Sequence, residues 1–297
     1  ELIEKIKDKD ALLSLLTDKI DEEVLRSAPN LKIVANYAVG FDNIDVQAAT
    51  ARNIFITNTP GVLTETVAEH TFALLMTATR RIVEADKFIR AGKFKAWGPL
   101  MLLGQDLKGK TLGVLGLGRI GAAVAQRALA MGMNVIYSDI QRVEPFEKKY
   151  NAEFADKETL LRTSDFISIH VPLMPETKHF ISFREFDLMK KNAVLVNTSR
   201  GPVVDEKALL DALEKKKIAG AALDVFECEP DITCDTCSAL QLKDFDSVVL
   251  TPHIASASVE TRGRMAEMAA QSIVDFAGGG IPENVVNKEL IKENKNQ

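Results

Sequence analysis

Short apolar runs alternate along this chain with stretches of helical spacing, the pattern of parallel strands joined by crossover helices. Ala11–Leu16 and Leu31–Asn36 read as strands on either side of a helix near Asp21–Ala28, and Ile54–Asn58 reads as a third strand that Pro60 and Gly61 end. Residues 64–91 hold helical spacing with neither Pro nor Gly. One long connecting helix is expected there, crossing from one domain to the other, with Thr66 and Glu69 as a capping box near its start and Gly92 as its stop.

A second alternating series follows the loop that holds Trp97, Gly98, Pro99 and Gly104. Strands are expected at Thr111–Leu115, Asn134–Ser138, Phe166–His170, Ala193–Asn197, Gly220–Asp224 and Val248–Leu250, with helices near Arg119–Met131, Ser182–Met189 and Asp205–Lys216. This rhythm makes a doubly wound sheet. Val259–Phe276 is again helical and the glycines at 278–280 end it, so the tail is expected to return to the first domain. The expected division is residues 1–63 with 259–297 in one domain and 64–258, connecting helix included, in the other. Glu1–Lys9 reads as a helix entered partway, so a strand ahead of it is expected to be missing from the sequence as given.

Composition narrows the class. At 297 residues the chain exceeds what one core usually supports, and 46% hydrophobic with 27% charged residues suits a soluble globular protein. A net charge of −5 with scattered basic residues gives no reason to expect nucleic acid or an anionic membrane as partner. No apolar run approaches a membrane span and the first residues lack a signal-peptide pattern, so the cytoplasm is the expected location. Cys228, Cys234 and Cys237 fall in one short stretch that cannot staple two domains together. Cys234 and Cys237 have the spacing of half a zinc site, but no second pair completes it, so all three are expected to be unligated loop cysteines and no metal is expected.

The chemistry begins at the strand Thr111–Leu115, which runs into Gly116-Leu-Gly118-Arg-Ile-Gly121 at a helix start. Glycines there allow the tight turn, close approach of a pyrophosphate and close helix packing, while the helix from Arg119 and Ile120 points its amides at the phosphates. Asp139 ends the next strand about 20 residues further on, where a carboxylate can accept bonds from the adenosine ribose hydroxyls and repel a 2′-phosphate. It also suits a residue that opens a turn. NAD(H) is favoured, and Arg142 nearby keeps NADP(H) possible.

Three later strand ends each carry a reactive group. Arg200 follows Ala193–Asn197, Glu229 follows the strand ending at Asp224, and His253 follows Val248–Leu250. The carboxyl edge of an open parallel sheet is where ligands bind. An arginine there can grip a carboxylate through two bonds and polarise an adjacent carbonyl, and an acid beside a histidine can orient it. Singly, each also suits an ordinary loop residue; their joint placement beside a dinucleotide cradle favours catalysis.

With these residues in view, the sequence resembles the D-isomer-specific 2-hydroxyacid dehydrogenase family, and within it the glyoxylate and hydroxypyruvate reductases. The resemblance runs through Asn36-Tyr-Ala-Val-Gly-Phe-Asp-Asn-Ile-Asp45, Asn58-Thr-Pro-Gly-Val-Leu-Thr-Glu-Thr-Val-Ala68, the glycine motif, His170-Val-Pro-Leu173, Asn197-Thr-Ser-Arg-Gly201, Asp224-Val-Phe-Glu-Cys-Glu-Pro230 and Thr251-Pro-His253. It implies an α/β protein of two doubly wound parallel-sheet domains, a Rossmann-type NAD domain and a flavodoxin-like substrate domain. It implies Arg200, Glu229 and His253 as the catalytic trio, with Val39 and Gly40 presenting amides to the substrate carboxylate. Pro172, Thr177, Thr198, Ser199, Asp224 and Ala255 would join the cradle in holding the cofactor. In similar reductases a tryptophan placed like Trp97 reaches the neighbouring subunit's active site, which implies a homodimer. Relatives usually carry a few dozen more residues at the N-terminus, and the loop between Pro230 and Phe245 looks longer here than theirs.

The expected reaction is reduction of a small 2-oxo acid, glyoxylate or hydroxypyruvate, to the 2-hydroxy acid, with His253 as proton donor. A phosphoglycerate dehydrogenase without a regulatory domain and an NAD-sensing scaffold like the corepressors of this fold stay as alternatives. A formate dehydrogenase is disfavoured, because the resemblance places an amide at the position of Glu229 in that group.

Overall fold

The structure, a computed structural model, describes residues 1–233 and 237–294 and divides into two compact units, Glu1–Leu63 with Ser256–Gln297 and Thr64–Ala255. In the first unit, α1 (Leu2–Ile6), β1 (Ala11–Ser14), α2 (Glu22–Arg26), β2 (Ile33–Asn36), α3 (Val46–Ala51) and β3 (Phe55–Thr57) run in order. Its three strands lie parallel in the order β1-β2-β3. Asp21 and Asp45 cap α2 and α3 by accepting the amides of Val24 and Ala48, so each helix starts where a side-chain oxygen can satisfy an orphan donor.

The second unit holds α4 (Thr64–Thr79), α5 (Ile82–Arg90), β4 (Thr111–Leu115), α6 (Arg119–Ala130), β5 (Asn134–Ser138), α7 (Glu144–Tyr150), β6 (Glu153–Phe154), α8 (Lys157–Thr163), β7 (Phe166–Ile169), α9 (Phe183–Leu188), β8 (Val194–Asn197), α10 (Glu206–Glu214), β9 (Gly220–Leu223), α11 (Ala239–Leu242) and β10 (Val248–Leu250). All pairings in its seven-stranded sheet are parallel, in the order β10-β9-β8-β7-β4-β5-β6. The order reverses between β4 and β7, the switch point at which such sheets open a crevice beyond their carboxyl ends. Strands β7, β8 and β9 are buried at every position because apolar clusters cover both faces: Leu195, Leu209 and Phe186 belong to one cluster, Leu112, Val124 and Val196 to the other. The chain then returns to the first unit through α12 (Val259–Ala277), which packs on β2, and α13 (Glu289–Asn294).

Several expectations need correction. The helix expected over 64–91 is two helices, broken at Arg81, whose φ of 55° is left-handed. The cause is distant in sequence: Gln105 donates its amide to the Thr79 carbonyl at 3.1 Å, and Gly104 lies so close that a Cβ on it would meet that oxygen at 2.4 Å. Because α4 begins at Thr64, Thr66 lies inside its first turn and is not the N-cap. The sheet has a seventh strand, β6, beyond the six expected, and α3, α7 and α8 fill segments for which no element was expected.

Candidate active site

The glycine turn after β4 is built for a bulky anion. Gly116 sits at φ +92°, a conformation side chains resist, and a Cβ there would meet the His170 carbonyl at 2.9 Å. A Cβ on Gly121 would lie 2.0 Å from the Gly116 oxygen, which is why α6 can seat against β4. Gly118 is the opposite case. It is the N-cap of α6, has no side-chain cap bond, and leaves nothing within 4 Å of where a Cβ would stand. Open space in front of uncapped helix amides fits the pyrophosphate of a dinucleotide. Arg119 is exposed and Ile120 half-buried at the start of this helix.

Asp139 follows β5 and accepts the Leu117 amide at 2.7 Å through one oxygen and the Ile140 amide at 2.7 Å through the other. It therefore braces the glycine turn while keeping lone pairs for ribose hydroxyls. Across the switch point, Thr177 ties the loop after β7 by donating to the Pro172 carbonyl at 2.6 Å and accepting the Met174 amide at 2.8 Å. Burial drives the pKa of His170 in this loop down to about 3, and its neutral ring bonds the Ser168 hydroxyl at 2.8 Å.

The strand ends carry the reactive groups. Ser199 bonds Asn197 Oδ1 through both its amide and its hydroxyl, Thr198 meets the Thr71 hydroxyl at 2.8 Å, and half-buried Arg200 donates from Nη1 to the Ser199 carbonyl at 2.8 Å. Gly201 then lies against Phe226 so closely that a Cβ would fall 1.9 Å from the Phe226 carbonyl carbon. Phe226 in turn donates its amide to Glu229 Oε1 at 2.8 Å, and Glu229 Oε2 meets His253 Nδ1 at 2.6 Å. Arg200, Glu229 and His253 are thus linked through one short chain of contacts.

Asp224 and Ala255 join this group at the end of β9 and beyond β10. The fully buried Asp224 carboxylate accepts from Thr251 Oγ1 at 2.5 Å, Ile254 N at 2.9 Å and Ala255 N at 2.8 Å. Burial alone would raise its pKa, yet the hydrogen bonds from His70, Thr251 and the two amides together hold it below the ordinary carboxylate range. His70 on α4 approaches Asp224 Oδ1 at 3.4 Å and Thr251 Oγ1 at 3.3 Å. Sequence reasoning passed over His70 and Thr71, because nothing in the pattern of α4 pairs them with residues well over a hundred positions away.

Val39 and Gly40 lie in the first unit, where the side-chain amides of Asn58 and Asn36 hold their carbonyls at 2.8 Å each. Trp97 stands 78% exposed in the loop after α5. The cysteine expectation is overturned for two of the three: Cys228 and Cys237 form a disulfide, Cα–Cα 5.9 Å, in the loop that carries Glu229. A bridge across so few residues fastens one loop and has no need to join domains. Cys234 lies outside the described residues.

Residues 72–255 match the model of the D-isomer specific 2-hydroxyacid dehydrogenase NAD binding domain. Over 292 residues the chain is 57% identical to a glyoxylate reductase of Korarchaeum cryptofilum, covering 98% of this chain and 86% of that protein. A glyoxylate reductase of Thermococcus litoralis is 53% identical over 294 residues, covering 98% and 87%. The crystal structure of Aquifex aeolicus D-lactate dehydrogenase with NAD and lactic acid superposes with a TM-score of 0.88 at 34% identity, covering 96% of this chain and 88% of that one. With a nucleotide cradle at its switch point and relatives of this kind along nearly its whole length, the chain belongs to the D-isomer-specific 2-hydroxyacid dehydrogenase family, NAD-dependent oxidoreductases of 2-hydroxy acids.

Proposed function

We propose that this enzyme reduces glyoxylate, or a 2-oxo acid of similar size, and that Arg200, Glu229 and His253 carry the reaction. The observation that supports it most is the 2.6 Å bond between His253 Nδ1 and Glu229 Oε2. A carboxylate can only accept, so Nδ1 carries the hydrogen of that bond and the ring presents Nε2 to the substrate. NADH, when bound, would supply the hydride for the carbonyl carbon. His253 would give its Nε2 proton to the carbonyl oxygen, which avoids a free alkoxide, while the other ring hydrogen stays on Nδ1 and keeps its bond to Glu229. Arg200 grips the substrate carboxylate and polarises the carbonyl. Gly116, Gly118, Gly121 and Asp139 would hold the dinucleotide.

Val39 and Gly40, expected from the resemblance to present amides, have a backbone that their two asparagine partners hold. Trp97, Leu100 and Leu103, exposed by 78%, 80% and 58%, supply the apolar face of a homodimer. Among the described residues no helix is long and apolar enough to cross a membrane, and the cytoplasm is the proposed place of action.

A panel of 2-oxo acids tests the function. NADH oxidation should be fastest, by kcat/KM, with glyoxylate or hydroxypyruvate, ahead of pyruvate and phosphohydroxypyruvate. Negligible turnover with all four despite tight NADH binding would overturn the reading in favour of a sensing scaffold. Sedimentation of the full chain as a monomer would remove the dimer.

A further inference from the structure

Beyond Asp139, the loop after β5 holds one arginine that could meet a ribose phosphate, and that arginine is already engaged. Arg142 donates from Nε to Glu147 Oε1 and Oε2 at 2.9 and 3.1 Å, and from Nη2 to Oε2 at 2.7 Å. Glu147 is itself anchored, since the hydroxyl of buried Tyr137 donates to Oε1 at 2.7 Å and accepts the Val143 amide at 2.7 Å. The Glu147 side chain is only 12% exposed, against 59% for Arg142, so the acid is the fixed member and the guanidinium the movable one. Bonds from Arg142 and Tyr137 hold the Glu147 pKa down to about 2, and it stays ionised at any working pH.

With Nε and Nη2 turned to a carboxylate, the guanidinium has its charge paired, and a second anion meets a neutralised partner. The geometry points to Glu147 as a specificity-determining residue for the cofactor: by holding Arg142 it withdraws the cation that a 2′-phosphate needs, and so adds to the exclusion of NADPH that Asp139 exerts by charge. The inference rests on the reading that Asp139 faces the adenosine ribose. It differs from that reading because Glu147 acts on the arginine and need not touch the cofactor. An ion pair with one partner this exposed is weak, so freeing Arg142 should be felt as only about a fivefold gain in affinity for a 2′-phosphate.

Calorimetric binding of 2′,5′-ADP and 5′-ADP to the full chain tests it without turnover. Glu147→Gln keeps an acceptor for Tyr137 and removes the charge. It should lower the Kd for 2′,5′-ADP about fivefold while the Kd for 5′-ADP moves less than about twofold. Adding Arg142→Ala to Glu147→Gln should abolish the gain. Because Asp139 can mask the effect, the same comparison is made on Asp139→Asn, where the gain should be at least as large. No gain in either background, or a gain that survives Arg142→Ala, overturns the role of Glu147. Failure of the unaltered chain to bind 5′-ADP at all would instead remove the cradle reading beneath it.

Discussion

Asp224 holds His253 in place through the backbone: its own carbonyl accepts the His253 amide at 2.8 Å, and its carboxylate accepts the amides of the next two residues, Ile254 and Ala255. His253 sits at φ 53°, a left-handed conformation that costs a non-glycine residue about 1 kcal/mol, and this triple grip is what offsets it. Asp224→Asn would turn its NH2 toward one of these two amide donors, because they bond different oxygens of the carboxylate. The expected result is a loss of about 2 kcal/mol in stability together with a fall in kcat of at least tenfold, read by denaturation and steady-state kinetics. The pH dependence has a definite sign. A carboxylate whose folded pKa is depressed contributes stability above its ordinary value of 3.8 and loses it as pH falls through the lower folded value. The stability gap between the parent chain and Asp224→Asn should therefore be full at neutral pH and close below about pH 4; a gap that stays constant there would contradict it.

Replacing His253 by Gln removes the proton donor and leaves the glycine cradle untouched. Turnover should fall on the order of 100-fold or more while the NADH Kd stays within about twofold. Glu229→Gln is a subtler probe, because Gln can still accept the Phe226 amide yet would present an NH2 to Nδ1, forcing that nitrogen to accept. The ring then loses the bond that fixes which nitrogen it presents to the substrate. We expect a loss in kcat on the order of 100-fold with NADH affinity retained, and near-normal kcat would separate Glu229 from the mechanism.

Two glycines of similar appearance in the sequence should fail in different ways. Gly201→Ala forces a Cβ into the Phe226 backbone at 1.9 Å, so the loops bearing Arg200 and Glu229 must part and stability should drop by about 3 kcal/mol. Gly118→Ala meets nothing within 4 Å and keeps an ordinary φ of −69°, so its melting temperature should hold. It narrows the approach of the pyrophosphate to the helix amides, and NADH affinity should fall about tenfold. Melting curves beside NADH titrations would show the split, and equal behaviour of the two variants would count against the cradle.

The elements that could be read from the sequence were those whose causes are local. Thr111–Leu115, Asn134–Ser138 and Val248–Leu250 are apolar runs closed by turn residues, and the strands occupy those bounds. The edge strand Glu153–Phe154 is exposed at both positions and leaves no apolar signature. The break at Arg81 is imposed by Gly104 and Gln105, so no property of residues 64–91 announces it. The candidate trio was visible because each member follows its own strand end. His70 reaches Asp224 only through helix packing, and the pairing of Cys228 with Cys237 depends on a loop path that spacing does not fix.

Glu206 carries the last expectation. It is buried at the start of α10, exchanges bonds with Glu227, giving its amide to Glu227 Oε2 and taking the Glu227 amide on Oε1, and leaves Oε2 without a partner. Burial first, and the nearby charges of Glu227 and Glu229 with it, push its pKa up, although the Glu227 amide pulls the other way. An acid whose folded pKa is raised favours the unfolded state once pH exceeds the ordinary value of 4.5, and that penalty reaches its full size above the folded value. Glu206→Gln keeps the acceptor for Glu227 and cannot ionise. Its melting temperature should match the parent's near pH 4 and exceed it by about 2–4 °C at pH 8, the shift that about 1 kcal/mol produces in a domain of this size. A gain already present at pH 4 would mean that packing, and not the buried charge, is responsible.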